Sequence, residues 1–88
     1  MAYVVKITKK AEKHLQKMDK SNAKIITQWI EDNLSGTENP RAIGKPLIDN
    51  PHGNWRYRVG DFRLLCDLQD DVCLVFVVKA GHRREVYR

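Results

Sequence analysis

Six of the chain's seven arginines stand in its last third: Arg56, Arg58, Arg63, Arg83, Arg84 and Arg88, with His82 and Tyr87 among them. Arginine holds phosphate through a rigid fork of N–H donors and stays charged, so it stabilises negative charge and is a poor base. That suits the extra charge of a pentacoordinate phosphate. His82 is the one group here that titrates near neutrality, which makes it a natural acid or base. Tyr87 can stack on a base, orient a 2′-hydroxyl, or accept a proton where neighbouring cations lower its pKa. A ribonuclease that uses its substrate's own 2′-hydroxyl as nucleophile needs this set of side chains. The stretch has no carboxylate pair for glycoside or aspartyl chemistry, no glycine-rich phosphate loop and no GxSxG elbow. Cys66 and Cys73 lie in no CxxC or HxxxH spacing, so they are expected as packed thiols, with no metal site and no cofactor.

The spacing of these residues points to a hairpin. Trp55-Arg56-Tyr57-Arg58-Val59 alternates with a period of two. Gly60-Asp61 suits a two-residue type II′ turn, with glycine first. Counting outward sets Val59 against Phe62, Arg58 against Arg63 and Tyr57 against Leu64. Arg56, Arg58 and Arg63 then share one face. Trp55, Tyr57, Val59, Phe62, Leu64 and Cys66 share the other. Like charges directly across a ladder destabilise it by a few tenths of a kcal/mol or more, on the order of one cross-strand pair. An anion seated between Arg58 and Arg63 relieves that; Asp67 or Glu85, brought in from elsewhere, is the plainer alternative.

Asp70-Asp71 turns the chain again. Val72 to Lys79 is apolar on both faces, as a central strand covered on both sides would be. Its register against residues 62–68 stays open, because the intervening loop can hold two to four residues. Ala80-Gly81 then leads into the basic tail, which is expected beside the arginine hairpin.

The elements that must carry this hairpin come earlier. Residues 2–8 are short and rich in β-branched side chains, a strand signal. Thr8 is a plausible N-cap for a helix over 9–19, with Ala11, Leu15 and Met18 on one stripe and His14 as a helix-surface residue. Lys9, Lys10, Lys13, Lys17 and Lys20 fall outside that stripe, as a solvated face or a phosphate-tracking one. Ser21 is expected to cap a second helix to about residue 34, carrying Ile26, Ile30 and Leu34, with Ile25 and Trp29 widening the stripe. The two helices make an αα-hairpin. Residues 37–53 show no period and are punctuated by Pro40, Gly44, Pro46, Pro51 and Gly53. This loop is expected either to connect over the sheet edge or to form a substrate wall, with Lys45 as a substrate-binding candidate. The expectation is one α+β domain over 1–88, ordered β-α-α-β-β-β, with a small antiparallel-rich sheet backed by the αα-hairpin.

Bulk composition agrees. The chain has 88 residues, is 42% apolar and carries a net charge of +5, which favours an acidic partner. The longest apolar run, Val72 to Val78, is strand-sized, far short of the about 20 residues that span a bilayer. The N-terminus lacks a signal-peptide pattern, so the expected location is the cytoplasm, without a membrane partner.

The element order, with the motifs WRYRVGDFRLLC and VVKAGHRREVY, resembles the RelE/ParE superfamily of bacterial toxins, and its RelE-type mRNA interferase branch in particular. The resemblance covers nearly the whole chain. It implies a metal-free endoribonuclease that enters the ribosomal A site and cuts mRNA by 2′-hydroxyl attack. It implies a cognate antitoxin, and operator DNA bound only as the toxin–antitoxin complex. By position, Arg56 and Arg58 match a basic pair, commonly lysines, on the first strand of the meander. Arg63 matches the arginine that holds the scissile phosphate. Arg83 matches the acid or charge stabiliser at the leaving group, and Tyr87 the tyrosine that stacks on the nucleotide. Arg84 is a further substrate-binding candidate. Where a lysine acts as base in the family, this chain has arginine, so His82 or Tyr87 is expected to take that role. The alternatives are a ParE-like gyrase inhibitor, or a non-catalytic RNA-binding or corepressor module. The intact GHRREVY end favours RNA cleavage.

Overall fold

The computed structural model describes residues 1–47 and 54–82. Strand β1 (Val4–Ile7) is followed by helices α1 (Lys9–Lys17) and α2 (Lys20–Asn33). A 3-10 turn (Pro40–Ala42) leads to the two-residue strand β2 (Lys45–Pro46). Strands β3 (Asn54–Val59) and β4 (Phe62–Gln69), a second 3-10 turn (Asp70–Val72) and β5 (Leu74–His82) complete the order. The five strands form one sheet, β1-β5-β4-β3-β2. β1 runs parallel to β5 and the other pairs are antiparallel. The expected α+β architecture is observed, with β2 as an added strand inside the aperiodic loop.

One face of the sheet meets the helices. Ala11 and Leu15 of α1, with Ile26, Ile30 and Leu34 at α2, close on Tyr57, Val59, Leu64, Cys66, Leu68, Val75, Val77 and Ala80. Trp29 packs against this cluster, its ring 5.5 Å from that of Tyr57. β5, expected as a central strand covered on both sides, is an interior strand between β1 and β4, with β4 in the middle of the sheet, and among the described residues helices cover only one side of it. Leu74, Phe76 and Val78 remain half-buried, and their apolar character comes from a partly sheltered face.

The β4–β5 ladder slips by one residue. Leu65 faces Lys79 but Cys66 faces Val77, so Val78 is an extra residue, a β-bulge. An unbroken ladder would set Lys79 opposite Leu64, inside the core. Burying an unpaired ammonium there costs several kcal/mol, on the order of an ion's desolvation. The bulge instead turns Ala80 inward, 4% exposed, and Lys79 to the other face.

β1 ends at Ile7, so among the described residues no strand pairs with the outer edge of β5 beyond Val77. Side chains at the start of α1 replace it. The Thr8 hydroxyl donates to Val77 O at 2.8 Å, and the Thr8 N–H to the same oxygen at 3.1 Å. The same hydroxyl oxygen accepts from the Ala11 N–H at 3.3 Å, capping α1 as expected. One turn on, His14 Nδ1 accepts the Ala80 N–H at 3.3 Å. His14 is therefore half-buried at the helix–sheet seam rather than a surface residue, and its Nδ1 is the unprotonated nitrogen. Two boundaries also differ from expectation. α1 stops at Lys17, and the N-cap of α2 is Asp19, with Ser21 inside the first turn donating to the Asp19 carboxylate. No described helix is long and apolar enough to cross a membrane.

Because Thr8 serves both the helix end and the strand edge, Thr8→Ala is expected to lower stability by about 1–2 kcal/mol in urea unfolding. Thr8→Ser, which keeps the hydroxyl, should recover most of that loss.

Candidate functional site: a cationic sheet face

The β3–β4 hairpin turns as counted. Gly60 has φ 59 while Asp61 keeps negative φ, the pattern of a type II′ turn. The observed pairs are Val59 with Phe62, Arg58 with Arg63 and Tyr57 with Leu64. Arg58 and Arg63 thus lie directly opposite each other. β5 adds Gly81 beside Arg63, so this row ends on bare backbone. A second row runs Lys45, Arg56, Leu65, Lys79 across β2, β3, β4 and β5. The sheet thereby brings Arg56, Arg58, Arg63 and Lys45 together on the face away from the core. Lys79 joins them. It went unnoticed in the sequence because its face depends on the bulge.

This face has little to neutralise it. Among the described residues the one ion pair is Arg41–Asp70, on the far side of the loop. Asp67 sits opposite Asn54 and accepts from Gln69 Nε2 at 2.9 Å, so it does not serve the arginine pair. Glu85 lies outside the described residues. Arg63 is held in place: its Nη1 donates to Gly60 O and to Phe62 O, each at 2.9 Å. Its Nε and Nη2 have no hydrogen-bond partner among the described residues. A guanidinium anchored through one nitrogen has already lost much of its rotamer freedom, so less is lost on binding an anion.

A cluster that sequence reasoning missed fastens residues 40–44, the segment leading into Lys45. Trp55 and Tyr57 project from β3 to the core side, and each needs a partner for its polar atom. Trp55 Nε1 donates to Ile43 O at 2.7 Å, and Tyr57 Oη to Pro40 O at 2.5 Å. Arg41 lies over the Trp55 ring, 5.5 Å from its centre, and donates to Asp70 Oδ1 at 2.5 Å. Tyr3 Oη donates to the same oxygen at 2.7 Å. Burial pushes the Tyr57 phenol up, keeping it a neutral donor. The hydrogen bond from Arg41 holds the Asp70 carboxyl low, and donation to Asp70 raises Tyr3. Gly44 allows the close approach: at φ 80, a Cβ there would overlap Arg56 O and lie 2.7 Å from Trp55 Nε1.

His82 departs from expectation. It pairs with Phe62, whose side chain packs on the core, and their rings stand edge to face with centroids 6.1 Å apart. The bulge reverses the alternation of β5, so His82 lies on the helix side, away from the arginines. Arg83, Arg84 and Tyr87 lie outside the described residues. Cys66 is buried, with its thiol pushed up to about 12 by burial, and Cys73 is half-exposed. Among the described residues no three His, Cys, Asp or Glu side chains converge as metal ligands.

Comparison with known proteins decides the family. The family model of the ParE toxin of type II toxin-antitoxin system, parDE, matches residues 5–87. The chain belongs to this toxin family, within the RelE/ParE superfamily. The Mycobacterium tuberculosis (strain ATCC 25618 / H37Rv) protein Toxin RelG is 30% identical over 88 residues, covering 100% of this chain and 99% of the relative. The toxin–antitoxin complex RelBE2 of the same organism contains a chain with TM-score 0.82 and 28% identity, covering 94% of this chain and 100% of that one. A free-state mutant of Escherichia coli toxin RelE shares the fold, with TM-score 0.77 at 24% identity over 99% of this chain and 92% of its own.

Two outcomes test how the toxin's loop is fastened. Gly44→Ala should lower stability by about 1–3 kcal/mol, a cost typical of strained backbone, with added clash against β3. Asp70→Asn should cost less than about 1 kcal/mol at neutral pH, since the pair is largely exposed. The folded-state pKa of Asp70 is depressed, so its contribution is present above the unfolded carboxylate value. The gap between mutant and wild type should therefore close in chemical unfolding as pH falls below about 4.

Proposed function

We propose that this toxin is a ribosome-dependent endoribonuclease that cuts mRNA in the A site. The facing pair Arg58–Arg63, flanked by Arg56 and Lys45 and without an acidic partner among the described residues, supports this reading. A phosphodiester seated between the two arginines turns a destabilising like-charge contact into a clamp. In the reaction the 2′-oxygen attacks the adjacent phosphorus, and the bond from phosphorus to the 5′-oxygen breaks. The products are a 2′,3′-cyclic phosphate and a 5′-hydroxyl. Arg58 and Arg63 stabilise the added negative charge on the phosphoryl oxygens. Arg56 and Lys45 track the backbone on the neighbouring row.

Proton transfer falls to Tyr87 in this reading. His82 lies across the sheet from the arginines, and arginine does not readily deprotonate. A tyrosine near several cations has a lowered pKa and can accept the 2′-hydroxyl proton. Arg83 stabilises the negative charge on the leaving 5′-oxygen, which takes a proton from solvent water to give the 5′-hydroxyl, and Arg84 contributes to substrate binding. The solved complexes of related toxins with RelB-type antitoxins support a cognate antitoxin as partner. That complex, rather than free toxin, would bind operator DNA. Such a reaction takes place in the cytoplasm, with the ribosome.

The family match, named for ParE, favours one second reading, a gyrase inhibitor with the same fold. Mapping of mRNA 5′ ends in a reconstituted translation reaction, beside a gyrase supercoiling assay, separates the two. Cleavage within the A-site codon is expected, with no effect on gyrase. Arg58→Ala and Arg63→Ala should each slow single-turnover cleavage about 10²–10³-fold, as loss of one charge-stabilising group does. Tyr87→Phe should abolish the limb on which cleavage accelerates with rising pH, since that limb reports a general base losing its proton, while His82→Ala keeps the profile's shape. Stabilised gyrase–DNA breaks without mRNA cleavage would overturn the proposal.

A further inference from the structure

A second concave surface lies on the opposite side of β5. A groove of about 450 Å3 runs between α1 and the last residues of β5. Its helical wall carries Lys10, His14 and Lys17, which recur at i, i+4 and i+7 and so stand in one stripe. Its floor includes the Phe62–His82 edge-to-face pair. Asn22 adds an amide. Among the described residues the one carboxylate in the lining, Asp19, already accepts from Ser21. His14 spends Nδ1 on the Ala80 N–H, so its Nε2 is left as a donor.

We propose that this groove binds one nucleotide of single-stranded RNA, with the phosphate on Lys10 and Lys17 and the base against Phe62 and His82. A volume of this size lies within the roughly 300–1,000 Å3 of small-ligand sites. A cationic rim above an aromatic floor is how proteins hold unpaired nucleotides, through phosphate charge and base stacking together. An acidic peptide would use the lysines and leave the aromatic floor idle. Lys79 and Gly81 border the groove and also belong to the cationic rows of the sheet face. A strand of RNA can therefore run past Lys79 and Gly81 from one surface to the other. The choice of RNA rests on the proposed function; the site itself does not depend on cleavage.

The test is an NMR titration of the full chain with a 2′-O-methyl hexaribonucleotide, which has no 2′-hydroxyl to react. The expected result is movement of the His82 and His14 imidazole signals and the Ala80 amide, in wild type and equally in the Arg58→Ala/Arg63→Ala variant. Lys10→Ala/Lys17→Ala should remove those shifts and keep the shifts of Arg56 and Arg58. It should also reduce the slope of log affinity against log salt by about 0.7 for each phosphate no longer neutralised. Core amides such as those of Ala11 and Ile26 report whether each variant is folded. Shifts confined to the sheet face, or disappearance of the groove shifts in the arginine variant, would overturn the proposal. So would equal groove shifts with hexaglutamate. Groove shifts in a toxin that fails to cleave mRNA would leave this site standing and sink the nuclease reading alone.

Discussion

Val78, the extra residue in β5, decides which side chains meet. Without it the alternation set by Val75 and Val77 would carry Lys79 into the core and His82 onto the arginine face. With it, Ala80 fills the core and Lys79 joins the row of Arg56 and Lys45. The exclusion of an unpaired ammonium from the interior is a stronger constraint than the continuity of one ladder. A broken hydrogen bond costs about 0.5–1.5 kcal/mol, against several for a buried charge. The division of the sheet into a basic face and an apolar face follows from that inequality.

The same stretch of β5 depends on α1 for its edge. β1 stops early, and the polar backbone beyond it is met by Thr8 and His14 instead of by another strand. Edge backbone groups left unpaired are a liability, in folding as in aggregation. Using side chains rather than a strand leaves room between helix and sheet, and that room is the groove lined by Lys10, His14 and Lys17.

The hairpin was legible because its signal is local: Gly60-Asp61 selects the turn, and the turn fixes the pairing of Arg58 with Arg63. The bulge was less legible, although a lysine closing an apolar run was a hint that the alternation must break. The placement of His82 failed for that reason alone. The parallel pairing of β1 with β5 joins residues about seventy positions apart, beyond the reach of local periodicity. The fastening of residues 40–46 was hidden because Trp55 and Tyr57 bind backbone carbonyls, which every residue possesses. That the core side of β3 carries two aromatic donors was visible, and it called for acceptors somewhere.

The facing arginines also set how the protein responds to its solvent. In the free chain they repel across one ladder step, well inside the Debye length of about 8 Å at physiological ionic strength. Added salt weakens that repulsion and so favours the folded form. The same salt competes with any polyanion for the same guanidinium groups, and weakens its binding. Folding and ligand capture therefore respond to ionic strength with opposite signs. A polyanion does for this sheet what salt does, but only from the native side of the equilibrium.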